Sequence, residues 1–160
     1  RAGEIDTLAL LFDMSALFEA FVGIMVRRAA RAKGWSVRLQ ASTRFWGSRT
    51  VRPDIVVGTP SGCFVLDTKW KVLKSPAPSD ADLRQMYVYN KYFHSATALL
   101  VYPEVYEVPG QIFPFRRPDD VLSCGVAFVP LFHQGKLSRT IGVRLVDIIS
   151  GLVARAAETA

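Results

Sequence analysis

Cysteine and histidine are scarce in this 160-residue chain, which contains two of each. Cys63 and Cys124 lie in separate apolar runs without the Cys-x-x-Cys spacing of zinc sites. With only His94 and His133 to add, no zinc motif appears. Two reduced, buried cysteines are the usual state in a cytosolic protein, so we expect a cytoplasmic location.

Long apolar runs are also missing. No apolar stretch approaches the roughly 18 residues of a membrane span, and the start of the chain does not resemble a signal peptide. We therefore expect no membrane partner. The first residue is Arg1 rather than methionine, so we expect the sequence to be part of a longer protein.

Hydrophobic and basic residues, by contrast, are plentiful. Hydrophobic residues make up 50% of the chain and charged residues 21%, which is typical of a folded domain. The length predicts a single domain over residues 1–160. The net charge of +6 favours an anionic partner, nucleic acid first, although many soluble domains are mildly basic.

The hydrophobic periodicity predicts a layered α/β domain. A turn at residues 59–62 is expected to fold the two strands around Ile55 and Val65 into a hairpin. Helices are expected over residues 17–33, 81–93 and 141–157, and further strands over residues 35–44, 97–102, 112–115 and 126–132.

Three charged residues interrupt apolar runs that are short enough to be buried strands. Asp54 precedes the first run, and Asp67 and Lys69 end the second. An unpaired ionised group in a dry interior costs several kcal/mol, so charges that persist there usually serve a metal, an ion pair or chemistry. Asp67 and Lys69 are two residues apart and face the same side of a strand, and the hairpin brings Asp54 beside them. The pattern predicts a divalent-metal site, or alternatively a salt-bridged pair at a sheet edge.

Oxygen ligands suit magnesium, for which manganese can substitute. Asp54, Asp67 and the main-chain carbonyl of Thr68 are therefore candidate ligands of Mg²⁺. Such a site could hydrolyse a phosphodiester bond, in which a metal-bound water attacks the phosphate. Lys69 would hold this water or help to deprotonate it, and a bound cation beside Lys69 would lower the pKa of its ammonium. Glu19 interrupts the apolar stripe of the first helix, and would either bind the metal through water or mark the edge of the stripe.

Other polar residues near these strands are candidates for secondary roles. Gln85 and Tyr89 share a helix face. They would orient Lys69 or contact the phosphate beside the scissile bond; alternatively, they are ordinary residues of a helix face. The segment 44–52 is basic and aromatic, which suits a loop or hairpin near phosphates but also a solvated turn. Candidate DNA contacts are Arg49, Arg52 and Lys71.

These motifs resemble a known nuclease signature. Pro53-Asp54, Asp67-x-Lys69 and Gln85-x-x-x-Tyr89 are similar to the motifs of the PD-(D/E)xK nuclease superfamily, in its branch with a Gln-x-x-x-Tyr helix. Within this superfamily, the sequence resembles the McrC family most closely, which comprises the nuclease subunits of McrBC modified-cytosine restriction systems. This similarity extends over about residues 8–135. It is carried most closely by residues 17–22, 52–56, 66–71 and 82–89.

The resemblance implies a restriction-endonuclease-like core, in which helices flank a mixed central sheet, and Mg²⁺-dependent cleavage of double-stranded DNA. It also implies a partner, a McrB-like GTP-hydrolysing motor that selects the DNA. In such proteins the motor docks on a region ahead of the nuclease domain, and we expect this sequence to lack that region.

Two other functions fit the same sequence. The first is a stand-alone DNA repair or recombination nuclease of the same superfamily. The second is a non-catalytic DNA-binding or assembly module that keeps the fold, although the joint presence of Asp54, Asp67 and Lys69 argues against it.

Overall fold

The computed structural model describes residues 13–73, 77–104, 111–116 and 121–158, and within them the fold is mixed α/β. The helices are α1 (Met14–Ala32), α2 (Asp80–Phe93) and α3 (Ile141–Glu158). The strands are β1 (Ser36–Leu39), β2 (Thr43–Trp46), β3 (Arg49–Val51), β4 (Ile55–Thr59), β5 (Gly62–Thr68), β6 (Ser95–Pro103), β7 (Gln111–Pro114), β8 (Ser123–Val129), β9 (Phe132–His133) and β10 (Lys136–Leu137).

Six of the strands form one mixed sheet in the order β1-β4-β5-β6-β8-β7. The β5–β6 and β6–β8 pairs are parallel, and the other pairs are antiparallel. The predicted hairpin is confirmed, since β4 and β5 pair with Ile55 opposite Leu66. Gly62 supplies the positive φ, 133°, at the end of its turn.

The sequence-based boundaries are correct for the helices to within a few residues, but one strand prediction is wrong. The strand expected over residues 35–44 is divided into β1 and β2, because Gln40 adopts a left-handed conformation with φ of 50°. Helix α1 also begins earlier than expected. The Asp13 carboxylate caps it by accepting hydrogen bonds from the main-chain N–H groups of Ser15 and Ala16.

The two faces of the sheet are covered by different helices. Helices α1 and α3 pack on one face, and α2 packs on the other, so the sheet has a core on each side. Helices α1 and α3 approach each other closely at Gly142, where an added Cβ would collide with the main chain of Met25. Leu66 belongs to the α1–α3 side and Val65 to the α2 side, which places the next residue, Asp67, on the α2 face.

The described helices include none that is both long enough and apolar enough to cross a membrane.

Candidate active site

The two predicted carboxylates lie next to each other at one end of the β4–β5 hairpin. Asp54 immediately precedes Ile55, and Asp67 immediately follows Leu66, the cross-strand partner of Ile55. Asp67 is only 4% exposed, whereas Asp54 is half-buried. Burial and the nearby charge of Asp54 raise the pKa of Asp67 from 3.8 to about 6, although the ammonium of Lys69 acts in the opposite direction.

Asp54 is held in place by the residue that follows Asp67. The main-chain N–H and the hydroxyl of Thr68 both donate to Oδ2 of Asp54, each at 2.7 Å. These bonds fix one carboxylate oxygen, while Oδ1 accepts no hydrogen bond from a described residue. The main-chain N–H of Gln40 also donates to the carbonyl of Asp54 at 2.8 Å, which ties β1 to the same point.

Lys69 lies between the end of β5 and helix α2. Its Nζ is 2.7 Å from Oδ2 of Asp67 and donates to Oε1 of Gln85 at 2.8 Å. Burial favours the neutral amine, but the hydrogen bond to Asp67 and the charges of Asp67, Asp82 and Asp54 outweigh it, so the pKa of Lys69 is raised. Without a bound cation, Lys69 is therefore an ammonium, whereas a lowered pKa is expected for Lys69 beside a metal.

Gln85 and Tyr89 form a chain of hydrogen bonds behind Lys69. The Gln85 amide donates to the Tyr89 hydroxyl at 2.8 Å, and this hydroxyl donates to the main-chain carbonyl of Arg52 at 3.1 Å. Burial, with the nearby charge of Asp67, raises the pKa of Tyr89 to about 12, so the phenol is neutral. The chain orients the Gln85 oxygen toward Lys69, while Tyr89 reaches Lys69 only through Gln85.

Asp82 is a site residue to which the sequence reasoning gave no role. This buried carboxylate lies 3.6 Å from Nζ of Lys69 and 2.6 Å from Nζ of Lys71, and it accepts a hydrogen bond from the hydroxyl of Ser79 at 2.7 Å. Burial opposes its ionisation, but the bonds from Lys71 and Ser79 prevail and lower its pKa. Its sequence signal is the Ser-x-x-Asp pattern at the start of α2, where Ser79 is the N-cap.

The motifs predict DNA cleavage at this site, and for that predicted reaction we expect Asp82→Asn to lower the rate about 10-fold at saturating DNA, because Lys69 loses a carboxylate that fixes its position. DNA affinity should not fall, since Asp82 is buried and its neutralisation releases the ammonium of Lys71. The measurement is the single-turnover rate together with the free energy of unfolding.

Ser79→Ala is the matched control for this variant. It removes the helix cap and so costs about 1 kcal/mol of stability, but it leaves the charge of Asp82. Ser79 also bonds to Asp82, so Ser79→Ala should slow cleavage less than Asp82→Asn does. A rate of Asp82→Asn equal to that of wild type would show that Asp82 does not position Lys69.

The remaining predicted residues lie on α1, on β3 and just beyond the ends of β3 and β5. Glu19 is half-buried and accepts a hydrogen bond from the side chain of Gln40 at 2.7 Å. Arg49 is exposed on β3, the side chain of Arg52 is exposed after it, and Lys71 is engaged by Asp82. Within the described residues, no three Asp, Glu, His or Cys side chains cluster closely enough to hold a metal. Glu19 is thus not placed in one ligand group with Asp54 and Asp67, and its water-mediated role stays a prediction.

The donor set of Asp54 and Asp67 nevertheless fits a magnesium ion. Mg²⁺ usually binds proteins through one or two carboxylates and retains several waters, so a third carboxylate is not required. The two carboxylates repel each other, and each uses Oδ2 for the described hydrogen bonds while Oδ1 is not so engaged. The carbonyl of Thr68 lies between the second carboxylate and Lys69 in the chain and completes the predicted ligands.

Comparisons with known proteins place the chain in a family. A refined half-complex from the tetradecameric assembly of Thermococcus gammatolerans McrB AAA+ hexamers with bound McrC contains a similar fold, with a TM-score of 0.65 and 21% identity. The match covers 86% of this chain and 33% of that chain, so this chain spans about a third of its length. A crystal structure of a protein of unknown function aligns more weakly, with a TM-score of 0.43 and 9% identity over 81% of this chain and 67% of that one.

No curated protein matches the sequence significantly. The family described as "McrBC 5-methylcytosine restriction system component" matches residues 1–103, which is more than half of the chain. This match confirms the resemblance to the McrC family that the motifs indicated. The chain therefore belongs to the family of McrBC 5-methylcytosine restriction system components.

Proposed function

We propose that this chain is the Mg²⁺-dependent endonuclease domain of a modification-dependent restriction system, with a fold of the PD-(D/E)xK type. The observation that supports this most directly is the grouping of Asp54, Asp67 and Lys69 at the end of one hairpin, with the Lys69 ammonium 2.7 Å from Asp67. A structural ion pair needs only one carboxylate, whereas here Lys69 faces three. The surplus of negative charge is what a bound divalent cation would neutralise.

Asp54, Asp67 and the Thr68 carbonyl would hold the magnesium ion, which supplies an activated water and neutralises charge on the scissile phosphate. Lys69 then orients the water by hydrogen bonding and stabilises the negative charge that develops on the phosphate. Gln85 restricts Lys69 to this position, because its amide is itself fixed by Tyr89. The phenol of Tyr89 remains a proton donor, since its raised pKa keeps it neutral.

We infer that the exposed arginines Arg49 and Arg52 bind the phosphates of the DNA. Arg52 lies two residues before Asp54, and its main-chain carbonyl accepts the hydrogen bond from Tyr89, so its side chain starts at the edge of the candidate site. A phosphate held there would place the next phosphodiester near the carboxylates. Lys71 is a weaker candidate for such a contact, because Asp82 engages its ammonium.

Arg52→Ala should weaken DNA binding and reduce the salt dependence of the affinity by about one unit of slope. The substitution keeps the main-chain carbonyl that receives the Tyr89 bond, so the site itself should be preserved. The measurement is the dissociation constant at a series of salt concentrations without divalent metal. Arg139→Ala, at another exposed arginine, is the control; a slope unchanged by Arg52→Ala would remove Arg52 from the phosphate contacts.

We further propose that the full-length protein cuts DNA together with an AAA+ motor that hydrolyses GTP and selects DNA containing modified cytosine. The solved neighbour contains McrC bound to McrB AAA+ hexamers, and the matched family is named for a 5-methylcytosine restriction system. The nuclease domain itself contributes the hydrolysis of the phosphodiester bond.

The test is cleavage of methylated and unmethylated plasmid DNA by the full-length protein with and without its motor, in Mg²⁺ and in EDTA. We expect cleavage only of the methylated plasmid, with the motor, GTP and Mg²⁺ present. Cleavage without the motor and without regard to methylation would favour a stand-alone repair or recombination nuclease. DNA binding without any cleavage would indicate the non-catalytic module.

Binding of the metal can be examined separately by soaking crystals with Mn²⁺. An anomalous peak between the carboxylates of Asp54 and Asp67 would support the proposed ligands. Binding of Mn²⁺ elsewhere, with the two carboxylates still paired only to protein groups, would contradict them.

A further inference from the structure

The β2–β3 hairpin carries an aromatic side chain that the proposed active site does not use. The hairpin forms a two-stranded sheet of its own, and Trp46 near its turn is 73% exposed. Tryptophan normally buries most of its large apolar surface, and the other two tryptophans of the chain, Trp35 and Trp70, are less exposed. With Phe45 beside it at 46% exposure, Trp46 forms an aromatic surface that the fold itself leaves open to solvent.

Both ends of this hairpin are fixed at the candidate active site. Ahead of β2, the N–H of Gln40 donates to the carbonyl of Asp54, and after β3 the carbonyl of Arg52 accepts from Tyr89. Along the hairpin, the ring of Phe45 packs against Tyr92 of α2, with centroids 5.5 Å apart. The position of Trp46 is therefore coupled to that of Asp54 and α2.

The length of the hairpin limits how far Trp46 lies from the scissile bond. Arg49 is the cross-strand partner of Trp46 and is five residues before Asp54 in the chain. At about 3.3 Å per extended residue, with about 5 Å across the strand pair, the main chain of Trp46 lies at most about 22 Å from that of Asp54. On a duplex this corresponds to about six base pairs, at about 3.4 Å each.

The charge around Trp46 identifies the class of its partner. Arg44 lies two residues before Trp46 and Arg49 is its cross-strand partner, while Arg52 follows the hairpin. All three are exposed, and no described acidic residue forms an ion pair with them. Cations that bind phosphates, together with an aromatic ring that stacks on bases, are the two elements of nucleic-acid binding surfaces. The two arginines on the hairpin, Arg44 and Arg49, carry the charge that a phosphate backbone requires, and this favours DNA over a protein as the partner.

We propose that Trp46 is a base-stacking residue, whose indole packs against a nucleobase of the DNA within about six base pairs of the cleavage position. This inference rests on the proposed nuclease function and extends it to the form of the substrate. A base must expose its face to be stacked on, so the preferred DNA has a base that unstacks readily near the cut. The flanking arginines bind the phosphates on either side.

The first test measures DNA binding by the full-length protein in EDTA, where no cleavage occurs. Trp46→Ala should weaken the affinity about 5- to 100-fold while leaving its salt dependence unchanged, because the side chain is neutral. Trp46→Phe should recover most of the affinity. Phe113→Ala is the matched control, because Phe113 is also an exposed aromatic residue (64%) but lies on β7 at the far edge of the sheet.

The second test follows the fluorescence of Trp46 in a protein with Trp35→Phe and Trp70→Phe. Stacking should quench it on addition of duplex DNA, and more strongly when the duplex contains an unpaired base near the cut. An affinity of Trp46→Ala within twofold of wild type, without quenching, would overturn the inference even while wild-type cleavage supports the proposed function. So would loss of motor assembly with DNA binding retained, since the hairpin would then contact protein. A wild-type protein that neither binds nor cuts DNA would contradict both proposals.

Discussion

Asp67→Asn is expected to abolish Mg²⁺-dependent DNA cleavage and, at the same time, to make the metal-free protein more stable. The carboxylate is buried beside Asp54, and these two effects raise its pKa from 3.8 to about 6. A carboxyl with this pKa in the fold lowers the free energy of unfolding by about 3 kcal/mol when ionised. Asparagine has nearly the same shape without the charge, so we expect a gain of about 1 to 3 kcal/mol at pH 7.

The pH dependence has a definite sign. Because the folded-state pKa is raised, the penalty from Asp67 is absent below pH 3.8, develops between pH 3.8 and about 6, and is complete above that range. The stability difference between wild type and Asp67→Asn should therefore grow with pH over this interval. Thermal or chemical unfolding in EDTA at several pH values measures it.

Magnesium should reverse the order of stability. Excess Mg²⁺ that binds the folded wild type raises its unfolding temperature, whereas Asp67→Asn should show little response because a ligand is missing. Asp147→Asn, at an exposed aspartate of α3, is the control and should behave as wild type. Normal cleavage by Asp67→Asn, or an equal response of both proteins to Mg²⁺, would remove Asp67 from the metal site.

Lys69→Ala should reduce the cleavage rate by about 10²- to 10⁴-fold, the range typical of a residue that transfers or positions a proton. Lys69 is half-buried, and its ammonium is shared by Asp67 and Gln85 in the interior of the site. We therefore expect its loss to affect turnover much more than DNA affinity. Single-turnover cleavage and equilibrium binding, measured on the same variant, separate the two effects.

Lys136→Ala provides the comparison, because it removes an exposed lysine on β10. It should leave the cleavage rate unchanged. If Lys69→Ala bound DNA poorly but turned over normally once saturated, Lys69 would be a phosphate contact rather than a residue of the reaction centre. A full rate in Lys69→Ala would indicate that Lys69 only compensates the charge of its carboxylate neighbours.

The sequence determined those features that depend on a few neighbouring residues. Strand periodicity placed Asp67 and Lys69 on one face of the sheet. Helix periodicity placed Gln85 and Tyr89 on one face of α2, where the Gln85 amide does reach the Tyr89 hydroxyl. The short turn at residues 59–62 determined the pairing of β4 with β5, and with it the position of Asp54. Each of these contacts follows from local geometry.

Tertiary structure alone decided the contacts between separate elements. The position of α2 on the sheet brings Asp82 to Lys69 and Lys71, which no local pattern indicates because the partners belong to different elements. The left-handed turn at Gln40 divides an apparently continuous strand, and the Gln40 side chain then bonds to Glu19. Such contacts depend on the packing of the helices and the order of the strands. Both are set by many elements of the chain together, so no short segment of sequence determines them.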